Sequence, residues 1–167
     1  NRHDVRGRRI AGNIEPGLLE QQMDLEQVGH RFRHRHDIVG DAAAPIAGMR
    51  LRRGMENGLA YHFVICNGTN GSYDGKVEVG ARWLRQIKGG HVKSKTYNAN
   101  SIGICLVGNF ETKHPSKKQI ASLIELIDYL KNKTLRGRPK FKVHRELEKT
   151  VCPGKNFPVA KLHKMFG

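Results

Sequence analysis

The chain has 167 residues and a mass of 18.8 kDa, with 38% apolar and 27% charged residues. This length fits one domain with a buried core, and no run approaches the roughly 18 apolar residues that a membrane span needs. Three cysteines are too few for a disulfide scaffold. The formal net charge of +15 favours polyanionic surroundings such as nucleic acid, an anionic cell envelope or anionic lipid.

The positive charge is divided between two parts of different composition. Residues 1–53 contain 10 arginines, no lysine and 7 acidic residues, whereas residues 54–167 contain 5 arginines, 15 lysines and 8 acidic residues. Phe32 is the one aromatic residue of the first part. We therefore predict an atypical basic segment over residues 1–53, poorly ordered or foreign to the native domain sequence, and a domain over residues 54–167.

The predicted secondary structure begins weakly and improves after residue 59. Residues 16–28 have leucines loosely on one side, which is typical of a short helix. Residues 59–66 (LAYHFVIC) are apolar and rich in β-forming side chains, so they predict a strand. Residues 67–75 are dense in turn-forming residues, and residues 76–80 alternate as a half-buried strand does. This stretch therefore predicts a β-hairpin.

A buried strand and a long helix follow the hairpin. The continuous apolar run over residues 102–107 (IGICLV) predicts a fully buried central strand. Ser116 and Gln119 have the spacing of a capping box, and the apolar residues over 120–130 follow at helical intervals. We therefore predict a helix that starts after Ser116 and packs one face on the sheet.

The last part of the chain predicts a short strand over residues 141–143 and a helix over residues 158–166, with Val159, Leu162 and Phe166 facing inward. Strands and helices alternate along the chain without an internal repeat. The predicted fold class is therefore α/β, with a mixed central β-sheet flanked by helices.

His144 and Cys152 are candidate metal ligands. They are separated by seven residues, and a loop of this length can bring two side chains to one ion. Imidazole nitrogen and thiolate sulfur are both good zinc donors. Pro153 and Gly154 would fix a turn beside the thiolate. Spacing alone also fits a surface histidine and an ordinary buried cysteine, which is the commoner situation.

Four sequence stretches, in order, resemble one family. The run VHRELEKTVCPG, which starts at Val143, resembles the zinc-binding end of the type-2 N-acetylmuramoyl-L-alanine amidases, a family that includes peptidoglycan recognition proteins and phage endolysins. Residues 59–65 resemble the family's GYHF strand, residues 100–110 its central strand, and the GGH sequence ending at His91 its GAH segment. The resemblance covers about residues 54–160 and implies the mixed sheet and flanking helices of that fold.

The resemblance implies a zinc hydrolase that needs no organic cofactor. His144 and Cys152 would hold Zn²⁺, which polarises the substrate carbonyl and lowers the pKa of a bound water. Tyr61 would hydrogen-bond the attacking water or the developing oxyanion. Thr150 would donate a hydrogen bond to the tetrahedral intermediate.

Two further residues are candidates for a substrate groove on the same resemblance. His91 follows two glycines in a predicted loop, and Asn98 precedes the central strand. For His91, a plain surface position is an equally good interpretation. His62 alternates with Tyr61 along the strand, so we expect it to be packed rather than to bind metal.

The first zinc ligand departs from the family pattern. A hydrolytic zinc site has three protein ligands and an open position. The family supplies the first ligand from an apolar strand that ends in paired histidines, and counting back from Tyr61 leads to residues 31–36. His34 lies in this window and His36 is the alternative. Their surroundings, HRFRHRHD, are basic rather than apolar, so both are alternatively solvated members of a basic tract.

The predicted function is zinc-dependent hydrolysis of the amide between N-acetylmuramic acid and L-alanine in peptidoglycan or muropeptides. The alternative is a non-catalytic peptidoglycan-binding module of the same fold with an incomplete zinc site. A nucleic-acid partner is not expected, because the sequence lacks aromatic residues interleaved on a basic strand.

We further expect a monomer without a membrane span. The substrate class predicts a cell-envelope or extracellular location, and the sequence contains no recognisable signal peptide.

Overall fold

The structure is a computed structural model that describes residues 59–69, 71–135 and 137–167. The predicted helix over residues 16–28 lies outside these residues. The same holds for the basic segment over residues 1–53 and for both candidate histidines within it. Across the described ranges, the helices are too short or too polar to cross a membrane.

In the part of the chain that the structure describes, three strands form a mixed sheet in the order β2–β1–β3. They are β1 (Phe63–Asn67), β2 (Asp74–Val79) and β3 (Ile104–Leu106). β1 pairs antiparallel with β2, with Phe63 opposite Val79, and parallel with β3, with Phe63 opposite Ile104. The mixed sheet and the hairpin that joins β1 to β2 are confirmed.

The prediction that residues 102–107 form the central, fully buried strand is wrong for the described sheet. β1 lies in the middle, and all three residues of β3 are only half-buried. A short apolar run indicates burial of a segment, but it carries no information about the order of strands.

Within the described residues, four α-helices accompany the sheet. They are α1 (Ala81–Leu84), α2 (Lys95–Asn100), α3 (Lys117–Tyr129) and α4 (Val159–Phe166). The predicted helices correspond to α3 and α4, whereas α1 and α2 were not predicted. A single π-helical turn, Leu130–Thr134, continues α3.

The predicted strand over residues 141–143 is absent from the described structure, where a 3₁₀ turn, His144–Glu146, begins directly after it. The reason is local. The backbone N–H of Val143 donates to the carboxylate of Glu146 (2.7 Å), so a side chain takes the hydrogen bond that a neighbouring strand would need.

Gln119 connects α3 to the sheet. Its backbone N–H donates to the Ser116 hydroxyl (3.0 Å), and its side-chain oxygen accepts from the Ser116 N–H (3.2 Å), which completes the predicted capping box. Its side-chain NH₂ donates to the carbonyls of Ile65 (3.3 Å) and Val107 (3.0 Å). This buried amide therefore satisfies backbone groups of the helix start and of the β1 and β3 segments together.

The main core lies between the sheet and the helices. Its fully buried members include Phe63 and Ile65 on β1 and Leu126 on α3. The Phe63 and Trp83 rings pack with centroids 4.8 Å apart. In α4, Leu162 and Phe166 are buried and Val159 is partly buried against the same core, as predicted.

His62 is buried and forms two hydrogen bonds through its ring. Nδ1 accepts from the backbone N–H of Gly103 (3.0 Å), so Nε2 carries the hydrogen that it donates to the carbonyl of Ile87 (3.1 Å). Burial lowers the pKa of His62 from its usual 6.5 to about 4. The expectation that His62 is packed and does not bind metal agrees with this arrangement, because both ring nitrogens are engaged by backbone atoms.

We expect His62 to make stability depend on pH. Its pKa is lower in the folded chain, so the unfolded chain binds more protons between pH 6.5 and about 4. The stabilisation is complete above pH 6.5 and is lost as the pH falls through this window, by about 3 kcal/mol in total. Urea unfolding at several pH values measures the loss. An NMR titration in which the folded imidazole of His62 protonates near pH 6.5 would contradict the prediction.

Candidate functional site

His144 and Cys152 lie on one compact loop. The backbone N–H of Arg145 donates to the carbonyl of Cys152 (3.1 Å), which brings the residue after His144 against Cys152 itself. The N–H of Gly154 donates to the carbonyl of Val151 (2.8 Å), which closes the turn expected around Pro153. The loop thus brings together the two predicted ligands that lie in the described part of the chain.

Thr150 is on the same loop and contacts Cys152. Its hydroxyl oxygen accepts from the backbone N–H of Cys152 (3.2 Å). The thiol of Cys152 lies at the surface, yet partial desolvation raises its pKa, and the positive charge of Arg145 opposes this shift. Cys66 and Cys105 are also free thiols, and burial raises the pKa of Cys105 to about 12.

His91 occupies a narrow space between two glycines. A Cβ atom on Gly89 would lie 2.3 Å from the ring, and one on Gly103 would lie 2.2 Å from it, so no other residue type fits at either position with the ring in place. The ring stacks on Tyr61 with centroids 6.2 Å apart and an angle of 20° between the planes. Sequence reasoning left His91 between the groove and the surface, and its half-buried position beside Tyr61 favours the groove.

The pKa of His91 responds to charge on the loop that carries His144. Burial lowers the pKa of His91, and the positive charges available to His144 and Arg82 lower it further. The Nε2 atom is buried and has no hydrogen-bond partner among the described residues. The imidazole of His91 therefore packs against Tyr61, and positive charge on His144 and Arg82 disfavours its protonation.

The side chain of Asn98 is engaged with the loop that carries His91. Its oxygen accepts from the backbone N–H groups of His91 (3.0 Å) and Val92 (3.1 Å), and its NH₂ donates to the carbonyl of Val92 (2.7 Å). The amide thus shapes the loop beside the predicted groove. A substrate contact by Asn98 stays a prediction.

Arg82 is a site-forming residue that the sequence did not reveal. Its guanidinium is buried and donates to the carbonyl of Leu59 (2.7 Å) and to that of Lys88. These bonds tie the segment before Tyr61 to the loop before His91. The sequence does not indicate this role, because the partners are backbone carbonyls, which every residue type carries.

Glu148 is the second residue that sequence reasoning missed. One carboxylate oxygen contacts Nε2 of His144, and the other accepts from the backbone N–H of Lys93 (3.1 Å). The carboxylate therefore touches both loops of the site. The i, i+4 spacing of His144 and Glu148 was visible in the sequence, but the partner at Lys93 was not.

Two of the predicted metal ligands lie among the described residues. Within the described ranges, no three His, Cys, Asp or Glu side chains are grouped closely enough to hold an ion. His144 and Cys152 have the donor chemistry of a zinc site, and a carboxylate on the second ring nitrogen is common for zinc-bound histidines. The predicted third ligand, His34 or His36, lies outside the described residues.

Comparison with known proteins identifies a family. The sequence profile of the family described as N-acetylmuramoyl-L-alanine amidase matches residues 26–155. This match begins before the composition boundary near residue 54 and includes both candidate histidines of the first segment.

Curated relatives point to the same family. Peptidoglycan recognition protein 1 of Mus musculus is 33% identical over 97 residues, which is 58% of this chain and 48% of the relative. A peptidoglycan recognition protein of Bombyx mori is 34% identical over 85 residues, 49% of this chain and 40% of the relative. The chain therefore spans about half the length of the curated relatives it matches.

Solved structures share the fold. The endolysin amidase LysCS of Clostridium intestinale is 32% identical with a TM-score of 0.54, over 65% of this chain and 63% of that protein. The bumblebee recognition protein PGRP-SA is 26% identical with a TM-score of 0.52, over 65% of this chain and 60% of that protein. These neighbours confirm the predicted fold class.

We expect Asn98→Ala to loosen the His91 loop. The change removes three hydrogen bonds between the Asn98 amide and the backbone of residues 91–92. Partly buried backbone groups would lose their partners, so the free energy of unfolding should fall by about 1–3 kcal/mol. Urea unfolding measures this, and amide exchange at His91 and Val92 should accelerate.

Asn132→Ala is the matched control for this prediction, since Asn132 is an exposed residue that bonds only to the side chain of Asp128 among the contacts described. It should leave exchange at residues 91–92 unchanged. Equal stability of Asn98→Ala and the wild type would show that the loop does not depend on the amide.

Proposed function

The chain belongs to the N-acetylmuramoyl-L-alanine amidase family, and from this membership we propose that it is a zinc-dependent amidase. The substrate is the amide between N-acetylmuramic acid and L-alanine in peptidoglycan or muropeptides. The observation that carries the proposal is the loop that joins His144 to Cys152 beside the stacked rings of Tyr61 and His91. A fold alone does not determine function, and these side chains are the ones that would carry the chemistry.

In the proposed site, His144 and Cys152 hold Zn²⁺ together with His34, with His36 as the alternative third ligand. When bound, zinc polarises the scissile carbonyl and lowers the pKa of water. The match of the family profile from residue 26 onward supports a ligand from the first segment. The backbone bond between Arg145 and Cys152 holds the two loop ligands close before the ion arrives.

The other residues of the site act on the substrate by hydrogen bonding. The Thr150 hydroxyl accepts from the Cys152 N–H, so its own hydrogen is available for the oxygen of the tetrahedral intermediate. Tyr61 is oriented by its stacking on His91 and donates to the attacking water or to the same oxygen. His91 lines the groove beside Tyr61, and the close approach of Gly89 and Gly103 keeps its ring in place.

A second candidate is a peptidoglycan-binding module without catalysis. It is favoured by the peptidoglycan recognition proteins among the relatives. In that case the groove beside His91 and Tyr61 would bind muropeptide without turnover. For either candidate, we propose a cell-envelope or extracellular setting and a monomer that does not bind nucleic acid.

We expect Cys152→Ser to lose zinc and activity. A serine hydroxyl is a much weaker zinc ligand than a cysteine thiolate, so the variant should no longer hold stoichiometric metal. Metal analysis and the release of stem peptide from muropeptides measure the two effects. The wild type should contain one zinc ion and lose turnover in a chelator. Muropeptide binding by a zinc-free wild type that shows no turnover after zinc is added would contradict the enzyme and favour the binding module.

We expect Tyr61→Phe to lower kcat by about 100-fold, the typical effect of removing one donor to an oxyanion. The stacking on His91 needs only the ring, so zinc content and muropeptide affinity should stay unchanged. Steady-state kinetics measure kcat and KM separately. Tyr73→Phe is the matched control, because Tyr73 is 74% exposed in the hairpin turn. Equal kcat values for the two variants would remove Tyr61 from the mechanism.

A further inference from the structure

The carboxylate of Glu148 connects the two loops that form the site. One oxygen contacts Nε2 of His144, and the other accepts from the backbone N–H of Lys93 (3.1 Å), 55 positions away in the sequence. The Glu148 side chain is only 17% exposed, so it is held between the loops rather than extended into solvent. A carboxylate that accepts from two separate loops fixes their relative position.

We propose that Glu148 is a positioning residue, which orients His144 for the metal and couples that orientation to the loop that carries His91. The proposal rests on the proposed function, since it assigns His144 to a zinc site. Glu148 touches neither substrate nor reacting atoms in this role, and it acts through His144 and Lys93.

The contact with Glu148 fixes the tautomer of His144. A carboxylate is an acceptor, so the ring nitrogen that faces Glu148 carries the hydrogen. Nε2 of His144 is therefore a donor, and Nδ1 keeps the lone pair that a metal needs. Zinc-bound histidines are commonly held in this way by a carboxylate on the second nitrogen, which also makes the ligand more basic.

Glu148 itself does not complete the metal site. If it were the third ligand, Glu148, His144 and Cys152 would form a group of three donors, and the described residues contain no such group. Its contact with Nε2 and its bond to Lys93 account for both oxygens. The carboxylate is thus committed to the ring of His144 and to the N–H of Lys93.

Glu148 also contacts the loop around Lys93. Asn98 holds the backbone of His91 and Val92, and Glu148 holds the next N–H along the chain. The ring of His91 is confined between Gly89 and Gly103, so this loop has little room to adjust. A rotation of His144 on metal binding would therefore act on the loop through the Glu148 carboxylate.

Two substitutions at Glu148 separate the two contacts. In Glu148→Gln, the amide oxygen can still accept from Lys93, but the NH₂ group meets the Nε2 hydrogen of His144 and disfavours the required tautomer. In Glu148→Ala, both contacts are lost. Asp128→Asn is the matched control. It also removes one negative charge, and it alters the hydrogen bond that the Asp128 carboxylate accepts from the side chain of Asn132, four positions later.

The experiment measures zinc affinity by competition with a chromophoric chelator, and amide exchange of Lys93 by NMR in metal-free and zinc-loaded protein. Both Glu148 variants should bind zinc about 10- to 100-fold more weakly than the wild type. Exchange at Lys93 should accelerate in Glu148→Ala, stay close to the wild type in Glu148→Gln, and slow on zinc loading in the wild type. Asp128→Asn should match the wild type in every measurement.

The outcomes distinguish this role from the proposed function. Zinc affinity that is the same in both Glu148 variants and in a zinc-binding wild type overturns the orienting role alone. Lys93 exchange that is unaffected by Glu148→Ala overturns the coupling. A wild type that binds no zinc overturns the metal site of the proposed function, and with it the role of Glu148 toward that site.

Discussion

The neutral imidazole of His62 joins the three segments on which the site depends. Its ring bonds Gly103 at the start of the β3 segment and Ile87 after α1, and its backbone N–H donates to the Gly103 carbonyl (2.9 Å). Tyr61 directly precedes His62, so the hydrogen bonds of His62 also fix the backbone position from which the Tyr61 side chain extends. The depressed pKa of His62 follows from the same burial, and a protonated ring could no longer accept from Gly103.

The loops of the site are held by side chains that bond backbone atoms. Arg82 takes the carbonyls of Leu59 and Lys88, and Asn98 takes the backbone of residues 91–92. Such bonds fix the backbone conformation of loops that belong to neither a helix nor a strand. The two glycines around His91 serve the same end, since a side chain on either would occupy the space of the ring.

The sequence revealed what depends on local signals. Ser116 and Gln119 predicted the start of α3, because both partners of the capping box lie within one turn. α1 and α2 have 4 and 6 residues, too few for a periodic pattern. α1 buries Arg82 and Trp83, whereas α2 buries no side chain. Family motifs indicated Tyr61, His144 and Cys152. They could not indicate Arg82 or Glu148, because both bond to distant backbone groups. The partner of Arg82 is 23 positions away in the sequence, and that of Glu148 is 55 positions away.

The separation of the proposed zinc ligands along the chain has a physical consequence. His144 and Cys152 lie on one loop, and the local bonds of Glu146 and Thr150 help to hold that loop. The proposed third ligand belongs to a segment that precedes β1 in the sequence. An ion bound by all three would join this segment to the domain, so its binding free energy would also be folding free energy. The composition boundary near residue 54 would then lie inside one metal-linked unit, in agreement with the family match that starts at residue 26.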